Sequence, residues 1–113
     1  MKLPNRKNAI ISREKLINYA LSETSPEGKN KAKFFRKIGF NKTDVQSFKK
    51  VIRQLAKSEE AKEVKDKSLP HYGTKYILEG KINSPIGKTV TIRTIWIIDE
   101  GQKRPRLVTV YPV

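Results

Sequence analysis

From about Tyr72 onward the chain is written in a two-residue period. Residues 75–82 (KYILEGKI), 89–98 (TVTIRTIWII) and 106–112 (RLVTVYP) are each rich in β-branched and aromatic residues, the composition that suits a pleated, half-buried surface. The segments between them, NSPIG and DEGQKRP, are hairpin-length and carry glycine, proline, serine and aspartate. A parallel crossover needs a dozen or more residues, so these three strands must pair as antiparallel neighbours.

The first half follows a helical period instead. Ser12 stands as an N-cap, with Ile11 and Leu16 placed as a hydrophobic staple and Leu16, Ile17, Ala20 and Leu21 on one stripe. Ser25 caps a second helix with Pro26 at its first position, where a missing N–H costs nothing; this helix runs to Ile38, and Gly39 supplies the left-handed exit. Thr43 and Gln46 have the spacing of a capping box for a third helix burying Val45, Phe48, Ile52 and Leu55. Residues 58–67 (SEEAKEVKDK) hold little apolar content and read as a fraying helix end or a solvated linker. The expectation is an α+β fold, about three N-terminal helices packed on one face of a small antiparallel sheet. Its 113 residues fit a single domain, with a helical half 1–67 and a sheet half 68–113.

Charge narrows the function. Twenty-five Lys and Arg against 11 Asp and Glu give a net +14, which attracts polyanions, nucleic acid first among them. Without cysteine, disulfides and thiolate metal sites are excluded. The opening MKLPNRKN lacks the apolar core of a signal peptide and no run reaches membrane-spanning length. The expectation is a soluble, cytoplasmic protein with no membrane partner.

Alternation along the middle strand separates two faces. Val90, Ile92, Thr94, Trp96 and Ile98 form the bulkier set and are assigned to the core, leaving Thr91, Arg93, Ile95 and Ile97 on the other side. On the last strand Leu107, Thr109 and Tyr111 alternate with Arg106, Val108 and Val110; if the two valines face the core, Thr109 and Tyr111 join Arg93. A single bulge would invert that parity. Lys75 can reach the same side. Lys31 falls at i relative to Phe34, Phe35 and Ile38, on the packing stripe of the second helix, whereas Lys33 and Lys37 point outward. The stretch SLPHYGTKYILEG (68–80) contains the sole histidine, His71. By default it is a loop residue; Tyr72-Gly73 is turn chemistry leading into a strand, and Tyr72 and Lys75 are the residues that reach the sheet.

The stretches KAKFFRKIGF, YGTKYILEG, RTIWII and PRLVTVYP, in this order, resemble a family of small bacterial domains of unknown function. Members occur free-standing and as C-terminal modules of larger predicted toxins, and the resemblance runs from LPNRKNAII to VTVYP. The element order and the closing LVTVYP strand also look like the barnase–EndoU–colicin–RelE group of metal-independent ribonuclease toxins, an analogy of architecture. That second likeness implies RNA cleavage, no cofactor, and neutralisation by an acidic antitoxin or immunity protein.

Metal-free RNA cleavage needs a base for the 2′-OH, a cation for the phosphorane and an acid for the 5′-oxygen. Arg93 suits the cation role because its fork matches phosphate oxygens and stays charged. His71 suits proton transfer; Lys31, Lys75 or Tyr111 could substitute, and Thr109 could donate a hydrogen bond to phosphate. Tyr72, Arg106, Lys33 and Lys37 are candidate RNA contacts. The sheet half has only Glu79, Asp99 and Glu100 as carboxylates, too few for a two-metal site, and neither a nucleophile elbow nor a phosphate-cradling glycine loop is present. The leading expectation is an endoribonuclease toxin domain of a toxin–antitoxin or toxin–immunity pair. The alternatives are a non-catalytic basic nucleic-acid-binding module and a scaffold whose charge complements an acidic partner.

Overall fold

A computed structural model describes residues 1–16, 29–40, 45–64 and 73–113 of the chain. Its frame is one antiparallel sheet of four strands in the order β1 (Ala61–Val64), β2 (Thr74–Asn83), β3 (Thr89–Ile98) and β4 (Arg106–Pro112). Before it come a 3-10 turn (Arg6–Asn8), a single helical turn α1 (Arg13–Lys15), and the helices α2 (Lys29–Lys37) and α3 (Val45–Ser58).

The three strands read from the two-residue period are present, and short hairpins join them. In the β2–β3 loop the Ser84 amide donates to the Lys88 carbonyl at 2.8 Å, and the Lys88 amide to Ser84 Oγ at 3.0 Å. Gly87 supplies the positive φ of 80° this turn requires. Gly73, at φ 107°, brings the chain into β2; a Cβ there would lie 1.9 Å from the Ile98 carbonyl oxygen, so only glycine lets the backbones approach.

The expected layer of three helices over three strands is not what the described residues form. They are mostly sheet, and α3 is the one long helix. After Ser12 the described residues place Arg13–Lys15 in α1, the Leu16 amide donates to the Ser12 carbonyl at 3.2 Å, and both Ile11 and Leu16 are buried. Ile17, Ala20 and Leu21, the caps Ser25 and Pro26, and Thr43 of the capping box lie outside the described residues. The stretch SEEAKEVKDK, expected as a fraying helix end or a solvated linker, contains β1. Its Ala61 and Val64 pair with Leu78 and Lys75. Physically, an edge strand has a partner on one side only and tolerates exposed Lys62 and Glu63, so its charged composition hid it.

The core lies between α3 and one face of the sheet. Val45, Phe48, Ile52, Leu55 and Ala56 of α3 are buried against Tyr76, Leu78, Ile82, Ile92, Trp96, Leu107 and Val110. Phe35 and Phe40 close over Phe48, with ring centroids 4.8 and 4.7 Å away. Polar groups within this layer of the sheet satisfy one another: Thr94 Oγ1 donates to the Leu78 carbonyl and accepts from the Trp96 indole at 2.8 Å. The N-terminal segment ties both sheet edges, since the Ala61 amide donates to Met1 while Ile10 exchanges hydrogen bonds with Pro105 and Leu107 beside β4. Glu60, held by the N-terminal ammonium and then by Lys2, sits below its ordinary carboxylate range. Among the described residues no helix is long and apolar enough to cross a membrane.

Candidate functional site

Opposite the core, the strand register builds rows of side chains across the sheet. Glu79 pairs with Arg93, and Arg93 with Tyr111, so three strands contribute one row. Directly paired residues of antiparallel strands project from the same face. The next row is Ile77, Ile95 and Thr109, and the one beyond it Lys75, Ile97 and Arg106.

The parity of β4 was the uncertain step in the sequence, and a bulge sits on it. Trp96 pairs with Leu107 but Ile95 with Thr109, leaving Val108 as the extra residue. Leu107 and Val110 are therefore both buried, three positions apart, and Val108 is not the core residue its alternation implied. Thr109 and Tyr111 still arrive on the face of Arg93. The bulge also carries Arg106 to this face, opposite Ile97.

Arg93 is the hub of the first row. Its Nε and a terminal nitrogen both engage Oε1 of Glu79, and the other terminal nitrogen donates to the Tyr111 hydroxyl at 3.1 Å. The guanidinium carbon lies 5.6 Å from the centre of the Tyr111 ring, within cation–π range. Hydrogen bonding to Tyr111 and then to Glu79 raises the Arg93 pKa above its already high ordinary value, so it is a fixed cation. With five N–H donors on a guanidinium and three engaged, two remain for a phosphate oxygen. Both Arg93 contacts to Glu79 use the same carboxylate oxygen, which leaves Oε2 outside the pair. Arg93 and Glu79 are about 36% and 42% exposed, open enough to meet a substrate.

Other predicted residues are separated from this row. Lys75 shares the face but stands roughly 13 Å along the strand from Glu79, at about 3.3 Å per residue. Arg106 lies at the same distant end and is held bidentately by Asp99, at 2.7 and 3.1 Å, so it acts as a hairpin clamp. Asp99 also explains its raised pKa. Lys33 and Lys37 are exposed on α2. His71, Tyr72 and the Lys31 side chain lie outside the described residues. Among those described, no three His, Cys, Asp or Glu side chains gather where they could hold a metal ion.

Glu79 was not among the residues singled out from sequence. A signal was available: counting back equally from Ser84 and forward from Lys88, the two ends of the hairpin loop, sets Glu79 opposite Arg93.

A four-stranded antiparallel meander with one long helix on its inner face and a carboxylate–guanidinium–phenol row on its outer face thus defines the molecule. The family described as "Domain of unknown function (DUF6883)" matches residues 2–113, and the chain belongs to it. The same fold occurs in a chain of a contact-dependent growth inhibition toxin–immunity protein complex from Klebsiella pneumoniae 342, with a TM-score of 0.70, 16% identity, and coverage of 93% of this chain and 100% of that one. At that identity the likeness is one of fold. No curated protein matches the chain.

Proposed function

We propose that the chain is a metal-independent endoribonuclease toxin domain, neutralised by an immunity-type partner, with Glu79, Arg93, Tyr111 and Thr109 forming its active centre. The observation that supports the reading is the row Glu79–Arg93–Tyr111, a carboxylate, a guanidinium and a phenol side by side on the outer face. In this reading Glu79 Oε2 takes the proton of a ribose 2′-OH. The 2′-oxygen then attacks the adjacent phosphorus while Arg93 forks onto the two non-bridging oxygens, whose charge grows in the transition state. The bond from phosphorus to the 5′-oxygen breaks, and the Tyr111 phenol protonates the leaving oxygen. The products are a 2′,3′-cyclic phosphate and a 5′-hydroxyl. Thr109, one row away, hydrogen-bonds the phosphate or the neighbouring ribose.

The structural relative belongs to a complex with two kinds of member, a toxin and an immunity protein. Net charge supports the toxin side for this chain: at +14 it suits a polyanionic substrate. The partner would then be acidic and would cover the outer face. Inducible expression in bacteria tests the reading. Growth should arrest with the native chain and continue with Arg93→Ala expressed to the same level; equal growth in both would sink it.

A further inference from the structure

The molecule presents a second cationic surface on the side away from Arg93. The inner face of α3 is apolar, so Gln46, Lys49, Lys50, Arg53, Gln54 and Lys57 project outward. The helix carries four cations and no acid. Gln46, Ser47, Lys49, Lys50 and Arg53 line a shallow groove of about 510 Å³. Arg53 is fixed in it, for its guanidinium donates to the Ala9 carbonyl at 3.0 Å, and Lys49 and Arg53 are half-buried while Lys50 is exposed. No ion pair among the described residues involves Lys49, Lys50 or Arg53.

We infer that the Lys49–Lys50–Arg53 face of α3 is a second RNA-binding surface that grips the phosphate backbone of a structured RNA while the sheet face acts on it. The inference rests on the ribonuclease reading for the identity of the polyanion. RNA fits better than an acidic protein because a protein interface needs a desolvated aromatic or apolar anchor and is depleted in lysine. The residues lining this groove carry hydroxyl, amide and cationic heads on aliphatic stems, with no aromatic or branched apolar anchor among them, and among the described residues the exposed large apolar ones, Met1, Ile10, Ile86 and Val113, lie off α3. Cations interleaved with amide and hydroxyl donors match a row of phosphates, whose neutralisation releases counterions. The surface reads shape and charge, so it would select folded RNA over short single strands.

The test is fluorescence anisotropy with a labelled RNA stem–loop made entirely of 2′-O-methyl nucleotides, which cannot undergo 2′-OH attack whichever residues are catalytic. Binding is measured against salt for the native chain, for Lys49→Gln/Lys50→Gln/Arg53→Gln, for Lys49→Gln/Lys50→Gln with the Arg53 contact kept, and for the control Lys103→Gln in the β3–β4 loop. Glutamine keeps helix propensity, and equal thermal midpoints confirm folding. The triple variant should lose roughly two to three units of slope in log K against log salt and about tenfold or more in affinity, the double variant roughly one and a half to two units, and the control much less. An unchanged slope in both α3 variants, or an equal loss in the control, overturns the inference. So does binding of poly-L-glutamate as tight as that of the stem–loop, which would make the face a protein-docking surface. If the native chain leaves the unmodified stem–loop uncleaved, the ribonuclease reading fails instead, whereas intact cleavage with an unchanged salt slope in the α3 variants overturns the inference alone, so the two failures are distinguishable.

Discussion

Arg93 sits where three strands meet. A strand arginine has every opportunity to lie in solvent; here a carboxylate on one neighbouring strand and a phenol on the other hold it. The fork is what the arrangement uses, so Arg93→Lys, which keeps charge but loses the planar donors, should lower kcat/KM on RNA by about tenfold or more, some 1.4 kcal/mol of transition-state stabilisation. Glu79→Gln, which keeps shape but cannot take a proton, should cost about 10²- to 10⁴-fold. Steady-state cleavage of a labelled RNA checks both, and full activity in either variant removes that residue from the mechanism. Tyr76, on the inner face, gives a residue-scale test of burial. Desolvation, followed by the charge of Glu63, raises its pKa above 10.0. A raised folded-state value means that the stabilisation is complete below the unfolded pKa and is lost as pH rises through the folded one. Thermal midpoints should therefore fall as pH rises above about 10 in the native chain and fall less in Tyr76→Phe. Identical alkaline profiles would contradict that placement.

At the scale of elements, the hairpins and the long helix were legible because their signals are local. NSPIG closes β2 onto β3, and Val45, Phe48, Ile52 and Leu55 mark the inner face of α3 by spacing alone. Gly73 was legible as turn chemistry, but not the reason for it, which is the Ile98 carbonyl packed against its Cα. Gly73→Ala should consequently destabilise more than Gly87→Ala. Both sit at positive φ, worth about 1–3 kcal/mol for a non-glycine residue, but only at Gly73 would the Cβ collide with backbone, whereas nothing lies within 4 Å at Gly87. Chemical denaturation measures the two, and equal losses would refute the close approach. The strand β1 was not legible, because an edge strand of AKEV lacks alternation and holds only Ala61 and Val64 as apolar residues, and pairing with Lys75–Leu78 creates it. The bulge at Val108 was equally hidden. Nothing in RLVTVYP marks an extra residue, and only Trp96 facing Leu107 while Ile95 faces Thr109 reveals it. Glu79 escaped notice for a related reason: its role depends on register between strands, which the composition of a single strand does not contain.

Across the whole molecule, two cationic surfaces stand back to back. The sheet's outer face carries the Arg93 row and the solvent face of α3 carries Lys49, Lys50 and Arg53, with the core of Phe48, Ile52, Leu78 and Trp96 between them. A net charge of +14 distributed in this way suits a polyanion on both sides, while the proposed chemistry belongs to one. The most direct test of that chemistry is the nature of the ends it makes. Purified protein incubated with RNA in excess chelator, followed by mass spectrometry of the fragments, should yield 2′,3′-cyclic phosphates and 5′-hydroxyls, and the same RNA should remain intact with Glu79→Gln over the same interval. Cleavage that stops with chelator and returns with magnesium, or that leaves 5′-phosphates, would contradict the assignment of base, cation and acid to Glu79, Arg93 and Tyr111.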